Sequence, residues 1–116
     1  MNFVNPTKGK MSVEEMVQDI IAFMEEVPGA SYKLIIGTDS QARDNTCFVT
    51  AVIVHRVGKG ARYYYYRKYM SSVKNLRHKI FTETSMSLEA VTRLKKELDK
   101  TRYKNMDVEI HVDIGQ

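Results

Sequence analysis

The 116-residue sequence has few cysteines and no long apolar run, and these absences exclude several kinds of protein. Its one cysteine, Cys47, excludes an internal disulfide bond and a zinc site built from several thiolates. No apolar run approaches the length of a membrane-spanning helix, and residues 1–6 hold no stretch that could act as a signal peptide. These absences predict a cytoplasmic protein without a membrane partner. The length fits a single domain, 1–116, with one hydrophobic core.

Acidic residues are missing from one long segment, between Asn45 and Thr82. That segment carries eight of the 18 lysine and arginine residues, while all 14 acidic residues lie elsewhere. Charge segregated in this way predicts a surface that attracts nucleic acid. The alternative is a set of solvated charges that keep a strand hairpin soluble. The backbone contacts predicted from the segment are Arg67, Lys68, Arg77 and Lys79.

Hydrophobic periodicity predicts the element order helix, three strands, helix, strand. Ser12 and Glu15 match a capping box at the start of the first helix, which ends before Pro28. The predicted helices cover 12–26 and a span from 72 or 75 to 100, and the predicted strands cover 32–39, 47–57, 61–70 and 107–114. Loops or turns are predicted over 6–10, 42–46 and 58–60. This order indicates an α/β mixed sheet in which the first and last strands are parallel neighbours.

Two of the predicted strands run into an aspartate followed by small residues. Asp39 ends the apolar stretch that begins at residue 32, and Asp113 ends the last predicted strand. Aspartate suits a half-buried strand poorly and is costly to bury unless it is paired or bound to a metal. Because the carboxyl ends of parallel neighbours meet at one edge, the two side chains are expected to converge. The alternative is that each aspartate only marks the end of its strand.

A third carboxylate is predicted to face inward from the second helix. At about 100° per residue, Glu83 shares a face with the apolar positions of that helix, whereas Glu89 falls on the solvated side. Either Glu83 is functional, or it is an inward-leaning side chain that extends its carboxylate to solvent or pairs with an arginine. Together with Asp39 and Asp113 it would form a site for Mg²⁺ or Mn²⁺. Two such ions can clamp the attacking and leaving oxygens of a phosphodiester.

The remaining candidates are aromatic or accessory. Four tyrosines, 63–66, place aromatic rings on both faces of the third strand, for packing within the sheet or for stacking of bases by one face. His111 precedes Asp113 by two residues and would shape the site, carry a proton, or simply pair with a neighbouring acid. Ser40 and Gln41 directly follow Asp39 as accessory candidates.

Four stretches taken together resemble a known family. They are 30–41, 55–60, 83–85 and 109–115, and they place an aspartate, a glutamate and an aspartate in strand, helix and strand. The chain resembles the YkuK-type ribonuclease H-like family of uncharacterised bacterial proteins over essentially its whole length. The resemblance implies a ribonuclease H-like mixed sheet and metal-dependent nuclease chemistry, a hydrolase reaction. It implies that Asp39, Glu83 and Asp113 hold the first three carboxylate positions.

The resemblance also shows a departure. Such enzymes usually add a fifth strand and a later helix with a fourth acidic residue, and this chain ends at Gln116. We therefore expect a domain that is incomplete at its C-terminus, with a terminal strand able to pair with a second copy. The leading hypothesis is a nuclease acting on RNA or structured nucleic acid. The alternative is a non-catalytic nucleic-acid-binding module, or a structural partner, that keeps the fold.

Overall fold

The computed structural model describes residues 1–41, 45–71, 73 and 75–112, which form two helices and a six-stranded mixed sheet. The strands are β1 (Asn2–Asn5), β2 (Gly9–Ser12), β3 (Tyr32–Gln41), β4 (Asn45–Arg56), β5 (Ala61–Ser71) and β6 (Val108–His111), and the helices are α1 (Val13–Glu26) and α2 (Leu76–Leu98). Across the sheet the strands lie in the order β2-β1-β5-β4-β3-β6. The predicted α/β mixed sheet is confirmed, with two additional strands at the N-terminus.

The additional strands form an antiparallel hairpin that the sequence did not predict. The side chain of Asn5 accepts hydrogen bonds from the backbone N–H groups of Thr7 (3.0 Å) and Lys8 (2.9 Å), which closes the turn. β1 also pairs with β5, and Phe3 is buried in the core. The predicted loop over 6–10 is therefore wrong at its end, because Gly9 begins β2.

Both helices begin at side-chain caps close to their predicted starts. The hydroxyl of Ser12 accepts from the Glu15 N–H (3.1 Å), and the Glu15 carboxylate accepts from the Ser12 N–H (2.8 Å), so the predicted capping box is confirmed. At α2 the Asn75 side chain accepts from the His78 N–H (3.2 Å). In the part of the chain that the structure describes, no helix is long and apolar enough to cross a membrane.

Strands β3, β4 and β5 form an antiparallel meander. The predicted turn at 58–60 is confirmed, because the Arg56 N–H donates to the Gly60 carbonyl oxygen (2.8 Å) and both glycines of the turn have positive φ. The predicted turn over 42–46 is wrong at residues 45 and 46, which belong to β4, where Thr46 is buried. Residues 42–44 lie outside the described residues.

The last strand is the parallel neighbour of β3, as predicted, with Leu34 opposite Val108 and Gly37 opposite His111. β6 is shorter than predicted within the described residues, and 113–116 lie outside them. It forms one edge of the sheet, so pairing of this edge with a second copy stays a prediction. The helix α2 crosses the sheet between β5 and β6, which is the connection that parallel strands require.

The two faces of the sheet have different surroundings. One face packs against both helices, and its core residues are Leu34, Ile36, Val52, Val54 and Tyr64 from the sheet with Ile20, Leu94 and Leu98 from the helices. The residues that alternate with the core positions point to the other side, which we call the open face. In β3, β4 and β5 they are Ile35, Gly37, Asp39, Val49, Ala51, Ile53, Tyr63, Tyr65, Arg67 and Tyr69, and His111 joins them from β6. Each is half-buried or exposed in the described structure.

Candidate functional site

The carboxyl end of β3 sends alternate side chains to opposite faces of the sheet. Thr38 is buried on the helix side, where its hydroxyl lies 2.9 Å from that of Thr50 and 2.8 Å from that of Ser87. Ser40 points the same way, towards α2. Asp39, between them, lies on the open face, where it is exposed. The local β alternation therefore decides which polar groups meet the helix.

Glu83 faces inward from α2, as its helical position predicted, and is 8% exposed. Its Oε2 accepts a hydrogen bond from the Ser40 hydroxyl at 2.6 Å, a length typical of a bond to a charged carboxylate. Its hydrogen-bond partner among the described residues is thus a serine and not an arginine. Glu89 is exposed and lies 3.5 Å from Arg93, so its prediction as a surface residue is confirmed.

Ser40 connects two of the predicted carboxylates. Its backbone N–H donates to Asp39 Oδ1 (2.8 Å), and its hydroxyl donates to Glu83. The two carboxylates nevertheless lie on opposite sides of β3, so the structure links them through Ser40 without placing them on one face. Asp113, the third predicted member, lies outside the described residues. Within the described residues no group of three or more histidine, cysteine, aspartate or glutamate side chains could hold a metal ion.

The open face contains a cleft of about 760 Å³ beside Asp39. Two small residues, Gly37 and Ala51, are opposite each other in β3 and β4 and form its floor. A Cβ atom on Gly37 would lie 3.2 Å from the carbonyl oxygen of His111, so this position has little space for a side chain. The polar side chains that line the cleft from the open face are Asp39, Gln41, Arg67 and His111.

The four basic residues predicted to contact nucleic acid lie on different surfaces. Arg67 is on the open face, where its guanidinium carbon is 4.6 Å from the centre of the Tyr65 ring. Lys68 follows it in β5 and therefore points to the other side of the sheet. Arg77 and Lys79 lie in the first turn of α2. Of the four, Arg67 alone lines the cleft.

The structure shows contacts for His111 and for part of the tyrosine run. Nε2 of His111 lies 3.3 Å from Oε1 of Glu109, so the histidine is placed as the partner of a neighbouring acid. Tyr64 is fully buried, and Tyr66 packs against Phe3 at 6.0 Å between ring centres. Tyr63, on the open face, is 53% exposed. Packing therefore accounts for the helix side of the run, and base stacking by the open face stays a prediction.

Sequence reasoning missed a buried charge cluster around Asp19 of α1. Its carboxylate accepts from Lys8, from Tyr64 (2.5 Å) and from Arg62 (3.3 Å). Burial alone would raise the pKa of Asp19, but the hydrogen bonds from Lys8 and Tyr64 and the charges of Arg62 and Lys8 hold it below its usual value. The sequence signal for this cluster is the position of Asp19 among the apolar residues on the buried face of the amphipathic helix α1. The cluster ties the N-terminal hairpin and β5 to α1, away from the cleft.

Comparison with known proteins gives two matches. A model of the family described as ribonuclease H-like matches residues 15–116. The uncharacterized protein YkuK of Bacillus subtilis (strain 168) is 37% identical over 94 residues, which are 79% of this chain and 55% of that protein. The chain therefore spans about half the length of this relative. No solved structure matches the chain.

Proposed function

Because the chain belongs to the ribonuclease H-like family, we propose that it hydrolyses phosphodiester bonds in RNA or structured nucleic acid with Mg²⁺ or Mn²⁺. Asp39, Glu83 and Asp113 would bind the ions. When bound, such ions act as Lewis acids on phosphoryl oxygens. The observation that carries the proposal is the pair of hydrogen bonds by which Ser40 holds the Asp39 and Glu83 carboxylates at the carboxyl end of β3.

The donor chemistry of these residues fits a hard divalent cation. All three are carboxylates, the ligand type that Mg²⁺ and Mn²⁺ prefer. The last paired residues of β3 and β6 are Gly37 and His111, and Asp39 and Asp113 each follow two positions later in the sequence. The buried Glu83 has its orientation fixed by the Ser40 hydroxyl, which is how supporting hydrogen bonds tune metal ligands.

Arg67 supports the binding of a phosphate near Asp39. It is opposite Val49, which is itself opposite Asp39, so the arginine lies two strands from the carboxylate on the same face. Two strand spacings amount to roughly 10 Å. A guanidinium group at that distance can hold a neighbouring phosphate of a strand whose scissile group lies beside Asp39. The role of Arg67 is thus to bind and orient, and that of Ser40 is to position Glu83.

A cleavage assay tests the proposal. Purified protein is incubated with labelled RNA, an RNA–DNA hybrid and branched DNA, with Mn²⁺, with Mg²⁺ or with EDTA. We expect cleavage of at least one substrate that needs the metal, and a loss of about 100-fold or more for Asp39→Asn and Glu83→Gln. Glu89→Gln is the matched control, because Glu89 is an exposed carboxylate on the same helix. Cleavage that survives Asp39→Asn would contradict the proposal.

A second candidate is a nucleic-acid-binding module without cleavage activity. The observation that favours it is the placement of Asp39 and Glu83 on opposite sides of β3. Such a module would bind nucleic acid in a salt-sensitive manner and would retain binding after Asp39→Asn. Metal-dependent cleavage distinguishes the two candidates: a nuclease cleaves the nucleic acid that it binds, and a binding module does not.

A further inference from the structure

The open face carries aromatic rings in a regular arrangement along β5. Tyr63, Tyr65 and Tyr69 occur at alternate positions on the same side of the strand, with Arg67 filling the gap between the last two. Tyr63 is 53% exposed and Tyr69 is 68% exposed. The guanidinium of Arg67 lies over the Tyr65 ring. Large exposed aromatic side chains in one row are unusual on a surface that contacts only water.

The spacing of this row suits a strand of unstacked bases. Side chains two residues apart in a strand lie roughly 6.8 Å apart, because each residue advances the chain by about 3.4 Å. This is about twice the rise per nucleotide in a stacked strand. Alternate positions of the row therefore match the step of a strand whose bases are splayed apart, as in sheets that bind single-stranded RNA through aromatic side chains. The two exposed rings, Tyr63 and Tyr69, are six residues and roughly 20 Å apart, so they would receive bases that are not adjacent in the strand.

The charge around the row is complementary to a phosphate backbone. Lys10 of β2 is opposite Val4 of β1, and Val4 is opposite Tyr65, so Lys10 lies on the open face beside the row. Strands β1, β2 and β5 contain no acidic residue at all. The acidic residues of the open face, Asp39 and Glu109, lie on the far side of β4 in β3 and β6. Base stacking and phosphate binding are thus both available on the β5 side.

We propose that the open face binds single-stranded nucleic acid, with bases stacked on the exposed Tyr63 and Tyr69 and with phosphates contacted by Lys10 and by Arg67, which lies over the half-buried Tyr65. The strand would run along β5 and pass about two strand spacings from Asp39. If the proposed nuclease function holds, single-stranded segments are the substrates that Asp39, Glu83 and Asp113 would act on. This step rests on the proposed function. The binding itself does not depend on it, because stacking on tyrosine requires no metal.

The experiment measures binding separately from cleavage. A fluorescein-labelled oligonucleotide of about 12 nucleotides, a length that covers the usual site size of such surfaces, is titrated with protein in EDTA and followed by anisotropy. The same sequence as a duplex is titrated in parallel. We expect the single strand to bind more tightly, and we expect Tyr63→Ala and Tyr69→Ala each to raise its Kd roughly 5- to 100-fold.

Two matched variants control for loss of an aromatic ring or a charge elsewhere. Phe81 is 69% exposed on α2, so Phe81→Ala removes a ring outside the open face and should leave the Kd unchanged. Arg67→Gln should weaken binding, whereas Arg93→Gln should not, because Arg93 lies beside Glu89 on α2. Circular dichroism verifies that each variant is folded, and the exposure of both tyrosines makes their replacement compatible with folding.

The outcomes separate this inference from the proposed function. Tight single-strand binding that both tyrosine variants weaken supports the inference, whether or not any substrate is cleaved. Equal binding of duplex and single strand, or tyrosine variants that bind as wild type, overturns it even if cleavage is found. A concentration-dependent dimer that Tyr63→Ala and Tyr69→Ala abolish, without oligonucleotide binding, also overturns it and assigns the face to a second copy of the chain.

Discussion

The hydroxyl of Ser40 donates a hydrogen bond of 2.6 Å to the Glu83 carboxylate, although the two residues are 43 positions apart in the sequence. This contact joins the carboxyl end of β3 to α2, and the backbone N–H of the same serine donates to Asp39. Glu83 is 8% exposed, so water has little access to replace the serine. Among the residues that the structure describes, the Ser40 hydroxyl is the side-chain donor that orients this buried carboxylate.

The first prediction concerns that hydroxyl. Ser40→Ala should lower the free energy of unfolding by about 1–3 kcal/mol, because it leaves a buried carboxylate without its donor. It should also weaken Mn²⁺ binding about tenfold or more, as expected for the loss of a group that positions a ligand. Urea unfolding and calorimetry measure the two effects. Ser40→Thr keeps the hydroxyl and should restore both; a threonine variant as weak as the alanine variant would contradict the role of the hydrogen bond.

The second prediction concerns the buried acid Asp19. Because the pKa of Asp19 is lowered in the folded protein, its contribution to stability is complete above the unfolded value of about 3.9 and is lost as the pH falls through the folded value. Asp19→Asn should cost about 2–3 kcal/mol at pH 7, since it removes the charge that Lys8 and Arg62 face. Urea midpoints from about pH 7 down to about pH 2, a range that extends well below the unfolded value, measure this.

The control for the second prediction is another carboxylate of α1. Glu15 is exposed, and its side chain takes part in the helix cap. Glu15→Gln should lose stability in acid to about the same extent as wild type. Asp19→Asn should lose less, so its urea midpoint should depend less on pH. If the urea midpoint falls with pH equally in wild type and in Asp19→Asn, the buried carboxylate does not cause the loss of stability in acid.

The third prediction concerns the floor of the cleft. Gly37→Ala would place a Cβ atom 3.2 Å from the carbonyl oxygen of His111, so β6 must shift by a few tenths of an ångström. We expect a cost of about 1 kcal/mol and faster hydrogen exchange at the β6 amides. Gly29→Ala is the control, because a Cβ there meets nothing within 4 Å, and it should be neutral or stabilising. A neutral Gly37→Ala would mean that the floor tolerates a side chain.

The fourth prediction concerns salt. If Arg67 contacts one phosphate, Arg67→Gln should reduce the slope of log Kd against log salt concentration by about one. Arg93→Gln should leave the slope unchanged, because Arg93 lies on the solvated face of α2 beside Glu89. Anisotropy titrations at several salt concentrations measure both slopes. Equal slopes for wild type and Arg67→Gln would exclude a phosphate contact at this position.

The sequence predicted the long elements better than the short ones. The helical period of α2 is sustained over 23 residues and placed Glu83 inward correctly. Each strand of the N-terminal hairpin has four residues, which is too few to show a period of two, so the hairpin was missed. The partners of Asp19 come from β5 and from the turn before β2, and no local pattern of α1 identifies them.

Sequence patterns gave the direction of one candidate ligand and not of the other. The residues around Asp39 and Glu83 led to the prediction that both are metal ligands, which stays a prediction, and helical geometry gave the inward direction of Glu83 correctly. The direction of Asp39 depends on the alternation of β3, in which Thr38 and Ser40 face the helix. Which face of a central strand meets a helix is decided by packing across the whole sheet. The pattern of one segment therefore placed Asp39 correctly at the carboxyl end of β3 but did not give the side of the sheet to which its side chain points.

Calorimetric titration with Mn²⁺ determines whether the carboxylates joined by Ser40 bind a divalent cation. Wild type, Asp39→Asn, Glu83→Gln and Asp113→Asn are compared, with Glu89→Gln as the control on the same helix. We expect wild type and Glu89→Gln to bind Mn²⁺ equally and the other three variants to bind much more weakly. A folded wild-type protein that binds no Mn²⁺, or that keeps its affinity after Asp39→Asn and Glu83→Gln, would contradict it.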